Sequence, residues 1–127
     1  MKLEKKEITM KVIHFLAGLL LSVLLSACAT VQGRGDVDQG RQALLAGNYQ
    51  AALGYFQQAE QTDPNYMYGA ELREGVLSYL GRAQYLTGNY AQARQTLQKN
   101  LSQHRSDNLA RLYLGLTLYR LGDQKGH

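Results

Sequence analysis

Gly47-Asn48-Tyr49-Gln50-Ala51-Ala52 decides how this chain is read, because it returns as Gly88-Asn89-Tyr90-Ala91-Gln92-Ala93 and, in eroded form, as Gly122-Asp123-Gln124. A glycine ends one helix by taking a positive φ, and an Asn or Asp beside it caps the next helix by accepting a backbone N–H. Each copy therefore marks a helix-turn-helix. Gly88 and Gly122 lie 34 residues apart, a period that belongs to stacked helical repeats, and Gly47 and Gly88 lie 41 apart, which is that period plus seven.

Outward from the first turn, Val37, Gly40, Ala43, Leu44 and Leu45 fall largely on one face of a helix that Gly47 stops. After Asn48 a second helix presents Ala52, Phe56 and Ala59 at intervals of four and three, the spacing of one buried stripe. Asp63-Pro64-Asn65 ends it, since proline cannot continue a helix and pushes the preceding residue to extended geometry. The seven extra residues fall around Tyr66–Arg73. Seven residues turn an α-helix by only about 20° less than two full turns, so the pattern predicts one long helix from Tyr66 to Leu86, weakened at Gly69 and Gly75.

These residues resemble the tetratricopeptide repeat. Gly40 stands where that family places a small residue in its first helix, and Tyr49, Ala52, Phe56, Ala59 and Pro64 match its second helix and terminating proline. The second copy matches through Leu80, Gly81, Tyr85, Gly88, Tyr90, Ala93 and Leu97. It departs at Asn100, where a small apolar residue is usual, and at Arg105, where proline is usual; looser packing and a blunter turn are expected there. The third copy keeps Leu114, Gly115, Tyr119 and Gly122. The resemblance implies an all-α, short tetratricopeptide-repeat solenoid of about five helices over residues 37–127, two full repeats and the first helix of a third.

The N-terminus has a different grammar. Lysines 2, 5, 6 and 11 precede an uncharged run, Val12–Leu25, followed by small residues, which is the order of a signal peptide. Fourteen apolar residues fall short of the ~20 that span a bilayer as a helix. Met10-Lys11 opens a complete signal of its own, so Met10 is an alternative start. Leu25-Ser26-Ala27-Cys28 resembles the lipobox of bacterial lipoproteins at all four positions. That resemblance implies a signal peptide over 1–27, lipidation of Cys28 by diacylglycerol and an N-acyl chain, and no other cofactor. Several acyl chains, at ~0.8 kcal/mol per buried methylene, make a stable anchor. Ala29, rather than aspartate, after the cysteine implies an outer-membrane site facing the periplasm. Residues 28–36, small and glycine-bearing, read as the lipidated cysteine and a flexible tether with a reach of about 15 Å.

Composition excludes more than it assigns. The net charge of +4 is front-loaded, and after Cys28 ten basic residues face eight acidic ones, so no nucleic-acid patch remains. Cys28 is the one cysteine, which rules out an intrachain disulfide. Beyond it the histidines are His104 and His127, with no metal-ligand spacing and no nucleophilic triad; Glu71 and Glu74 read as a solvated helix face. An enzyme is not expected.

Binding has candidates. In the tetratricopeptide family the first helices line a concave groove for a partner's segment. Arg41 and Arg82 each follow the glycine of their first helix and share one phase, Leu116 takes the third place, and Tyr79, Tyr85 and Tyr119 lie near the same surface. Arginine flanked by tyrosine suits a carboxylate or an extended peptide. The alternative is solvated arginines and tyrosines packed between helices. Leu109, Leu112, Leu114, Leu116, Leu118 and Leu121 surround the last helix, where a terminal repeat needs a polar outer face, so the expectation is either self-association through this helix or a shortened form whose longer relatives continue. The expected function is a membrane-tethered, non-catalytic adaptor binding a protein or peptide in envelope assembly, secretion or polymer export. The competing expectations are an accessory lipoprotein of a cell-wall enzyme and a purely structural lipoprotein.

Overall fold

In the computed structural model, residues 2–125 are described in their backbone, and side chains are described at 2–23 and 33–122. Among these residues the elements are α1 (Lys2–Leu45), α2 (Tyr49–Thr62), β1 (Met67–Tyr68), β2 (Glu74–Gly75), α3 (Val76–Leu86), α4 (Tyr90–Gln103) and α5 (Asn108–Lys125). Helices 1 and 2, then 3 and 4, form the two helix pairs, and α5 packs on both α3 and α4.

The repeated turn has the geometry that its residues require. Gly47 and Gly88 take φ of 74° and 83°. Behind the first, Asn48 N donates to Ala43 O at 2.9 Å and Gly47 N to Leu44 O at 3.1 Å. Behind the second, Asn89 N reaches Gln84 O at 2.8 Å and Gly88 N reaches Tyr85 O at 3.1 Å. Each pair of bonds satisfies carbonyls that the helix end would otherwise leave orphaned. The caps differ: Asn48 Oδ1 accepts from Ala51 N at 3.2 Å, whereas Asn89 turns its amide back to Thr87 Oγ1 at 3.0 Å and leaves α4 without a side-chain cap.

Packing explains the small residues of the first helices. A Cβ on Gly40 would lie 2.5 Å from the Phe56 ring, and one on Gly81 would lie 2.4 Å from Leu97. Glycine lets the second helix of each repeat press its largest fully buried apolar side chain against the backbone of the first. The principal core joins Val37, Leu44, Ala52, Leu53, Phe56, Ala59, Val76, Leu77, Tyr79, Leu80 and Ala83, and Ala93, Leu97 and Ala110 form its continuation under α5. Leu45, placed on the buried stripe by its spacing, is 88 % exposed instead.

Three expectations are corrected. The helix assigned to Tyr66–Leu86 begins only at Val76; ahead of it the chain folds back as a two-stranded antiparallel ribbon, with Met67 opposite Gly75 and Tyr68 opposite Glu74. Gly69 makes the reversal at φ 93°, and Val76 N closes it on Tyr66 O at 3.0 Å. Helical phase alone did not discriminate, because a seven-residue insertion preserves the buried face of α3 whether it extends the helix or loops out. Secondly, the tether expected over 28–36 lies inside α1 and is helical along its whole length. Gly33 is buried, with a Cβ position 3.4 Å from Thr62 Cγ2, so the packed repeat reaches upstream of Val37 to the end of α2.

The third correction concerns Asn100 and Arg105. Asn100 is 1 % exposed, and its Nδ2 donates to Ser78 Oγ and Asp107 Oδ2, each at 2.9 Å. Asp107 Oδ2 also accepts from Gly75 N at 2.9 Å and from the Ser78 hydroxyl, while Oδ1 caps α5 through Ala110 N at 3.0 Å. The junction is a saturated polar node rather than a loosened one. Asp107, not proline, shapes the turn, through Asp107 N to His104 O at 3.1 Å.

Candidate functional site

The first helices α1, α3 and α5 converge around a cavity of about 230 Å³. Arg41, Leu44 and Leu45 line it from α1, Glu74 from β2, Tyr79 and Arg82 from α3, and Leu109 from α5. Arg41, Tyr79 and Arg82 thus line one cavity.

Arg41 is held by the ribbon. Its guanidinium lies over the Tyr68 ring, 4.1 Å from the centroid, and 5.8 Å from that of Tyr79, and its Nη1 donates to the Tyr68 hydroxyl. Cation–π contacts of this kind fix the plane of the fork as well as its position. Tyr79 is itself fixed: it stacks on Phe56 at 5.3 Å, meets Tyr68 edge-on at 6.1 Å, and donates its hydroxyl to Glu74 Oε2. Burial, reinforced by the Glu74 carboxylate, raises the Tyr79 pKa well above that of a free phenol, so the hydroxyl stays a donor at neutral pH.

Arg82 differs from Arg41. Its guanidinium lies 5.4 Å from the Tyr113 ring centroid, and its Nε is buried with no hydrogen-bond partner among the described residues. A buried unsatisfied donor costs about 1–3 kcal/mol, more when the group is charged. An acceptor brought by a ligand would recover that cost.

The remaining expected residues lie apart. Tyr85 packs between Tyr90 at 5.4 Å and Tyr113 at 5.5 Å, which is an interhelical role. Leu116 and Tyr119, 37 % and 69 % exposed, are on the open side of α5 and do not line the cavity. Cys28, with Leu25, Ser26 and Ala27, lies outside the residues whose side chains are described. The sequence reading missed Tyr68 and Glu74, because both were assigned to a continuous helix; the signal available was Gly69 between two aromatic-containing segments. Among the described residues no group of three or more His, Cys, Asp or Glu is placed to hold a metal ion.

A larger depression of about 890 Å³ lies between the ribbon and the α4–α5 turn, walled by Leu72, Arg73, His104 and Arg105 among others. Size alone does not favour it: Leu72 and its charged neighbours there are exposed to solvent, whereas the smaller cavity is lined by Tyr79 and by Arg82, whose Nε is an unpaired buried donor.

The family model of the tetratricopeptide repeat matches residues 43–116, from the last turn of α1 through α3 into α5. The chain belongs to the tetratricopeptide repeat family. Neither a curated protein nor a solved structure matches it. Tetratricopeptide repeats form protein–protein interaction modules and are typically non-catalytic, and at that level this chain is an interaction module.

Proposed function

We propose that the chain is a lipid-anchored adaptor of a bacterial envelope, whose tetratricopeptide groove holds an extended protein segment and takes a carboxylate of that segment at Arg82. The observation that carries this reading is the buried, unpartnered Nε of Arg82 in the wall of a cavity lined by all three first helices. Leu44 and Leu109 supply apolar contact beside Tyr79, and Arg41, already oriented by Tyr68, supplies the second cation. Forked hydrogen bonds from arginine to carboxylate are among the stronger recognition contacts because both partners are charged and planar. The module has no chemistry of its own in this reading and acts in envelope assembly, secretion or polymer export.

The anchor rests on Leu25-Ser26-Ala27-Cys28 and on the apolar side chains that α1 leaves uncovered upstream, Phe15, Leu16, Leu19, Leu20, Leu21 and Val23. Acylated Cys28 holds the module at the periplasmic face of the outer membrane.

Each half has its own test. Affinity capture from detergent-solubilised envelopes is expected to recover a partner with the native chain and to lose it, by about tenfold or more, with R41A/R82A. An unchanged set of captured proteins would rule out the groove. Globomycin, which blocks the lipoprotein signal peptidase, is expected to accumulate the full-length precursor, as is C28A; normal maturation in either case removes the lipid anchor from the proposal and leaves the groove untouched.

A further inference from the structure

Glu74 is out of keeping with a cavity that offers two arginines to a carboxylate. It lines the same cavity of about 230 Å³ as Arg41, Tyr79 and Arg82, and β2 brings it there, half-buried, at the point where the ribbon runs into α3. Its Oε2 accepts from the Tyr79 hydroxyl. Among the described residues Oε1 accepts no hydrogen bond, and no basic residue forms an ion pair with the carboxylate. Both arginines are engaged elsewhere: Arg41 lies over the Tyr68 ring and donates to its hydroxyl, and Arg82 lies over Tyr113 with its Nε unpartnered. One wall thus holds a donor without an acceptor, and another an acceptor without a donor.

A space of about 230 Å³ is on the order of 8 Å across, so a carboxylate at Arg82 stands within the ~10 Å screening length of ordinary buffer from Glu74. Like charges so placed work against binding, and opposite charges add to it. Glu74 therefore opposes a ligand that is only anionic and favours one that brings a cation with its anion. On an extended segment the side chains alternate between faces and each residue advances ~3.3 Å, so residues two apart share a face at ~7 Å, a separation that fits the cavity.

We propose that Glu74 sets the specificity of this cavity: it accepts an extended partner segment with an acidic and a basic side chain two residues apart, the acid on Arg82 and the base on Glu74 Oε1. This role for Glu74 rests on the reading of the cavity as a carboxylate site. It is distinct from fixing Tyr79. A purely acidic segment, which two arginines alone would welcome, is the ligand that Glu74 turns away.

The full-length chain in a mild detergent is titrated with fluorescently labelled, end-capped peptides. One is built around Asp-Ala-Lys-Ala-Asp, which contains the pair in both orders; a second has glutamine in place of the lysine, and a third has asparagine in place of both aspartates. Glu74→Gln keeps an oxygen that accepts from Tyr79, so it removes the charge and leaves the cavity wall standing. The native chain is expected to bind the lysine peptide about fivefold or more tighter than the glutamine peptide, and E74Q to lose that preference as the lysine peptide weakens and the glutamine peptide gains. A gain in one peptide cannot come from a site that has lost its fold. No preference for lysine in the native chain, or the same preference in E74Q, overturns the role of Glu74; the carboxylate site survives that result as long as R82A and the asparagine peptide still weaken binding. Absence of saturable binding up to ~1 mM peptide, or binding indifferent to R82A and to the aspartates, overturns the carboxylate site and the role of Glu74 with it.

Discussion

Replacing Asp107 with alanine is expected to destabilise the chain by about 3 kcal/mol, read as a fall in the urea midpoint with little change in slope. One buried carboxylate there answers four donors: the backbone N–H groups of Gly75 and Ala110, the Ser78 hydroxyl and the Asn100 amide. Alanine removes the acceptor and leaves all four in a site that is 1 % exposed at Asp107. Asp107→Asn, which keeps the shape but puts an amide where only donors point, is expected to recover part of the loss and no more. Burial by itself pushes the Asp107 carboxyl upward, but the hydrogen bonds from Gly75, Ser78, Ala110 and Asn100 outweigh it and hold the pKa below the ordinary carboxylate value. A depressed folded-state pKa means that this stabilisation is fully present above the unfolded value of about 3.9 and is lost as pH falls through the folded one. Acid unfolding of the native chain and of Asp107→Asn should therefore converge at low pH, which a pair of pH-dependent melting curves will show. A gap that stays constant down to acid pH would mean that the carboxylate charge contributes nothing.

Phe56→Ala is expected to cost still more, about 3–5 kcal/mol. The ring is 0 % exposed, stacks on Tyr79, and fills the notch over Gly40. Its loss opens a cavity between α1, α2 and α3, and it also frees Tyr79, hence the wall of the groove. Gly40→Ala attacks the same contact from the other side. Its methyl group overlaps the ring, a strain of about 1–3 kcal/mol, offset by up to about 1 kcal/mol of gained helix propensity. The double variant is expected to be less unstable than the sum of the two, because the missing ring makes room for the methyl. A double-mutant cycle by denaturant titration measures that coupling, and strict additivity would mean that the ring and Gly40 do not share the notch.

The helical pairs were legible because their determinants are local. Gly47 and Gly88 each force a left-handed turn, and the Ala52–Phe56–Ala59 spacing dictates which side of α2 is buried. Arg41 and Arg82 could be placed on one wall for a related reason: residues at the same phase of stacked repeats are brought together by the stacking itself. The ribbon between β1 and β2 was not legible, since a seven-residue insertion leaves no trace in the phase of the helix behind it. With the ribbon went Tyr68 and Glu74, whose contacts with Arg41 and Tyr79 depend on folding back rather than running on. The Asp107 node was hidden for another reason. Its partners Gly75, Ser78 and Asn100 come from three different elements; Asn100 alone read as a departure from a small apolar position, and Gly75 only as a weak point in a helix. Buried polar groups reveal their purpose only when their partners are known, and a linear reading cannot supply those.

The position of Asp107 also bears on how such an array comes apart. Stacked repeats usually fray from an end, one unit at a time, because each touches only its neighbour. Here the residue that starts the terminal helix also holds the N–H of Gly75, where α3 begins. Peeling away α5 therefore unfastens the start of a helix two elements back, together with the Asn100 end of α4. The Asp107 junction thus acts as a latch across the second repeat, and α5 is expected to let go together with the start of α3 and the Asn100 end of α4 rather than alone.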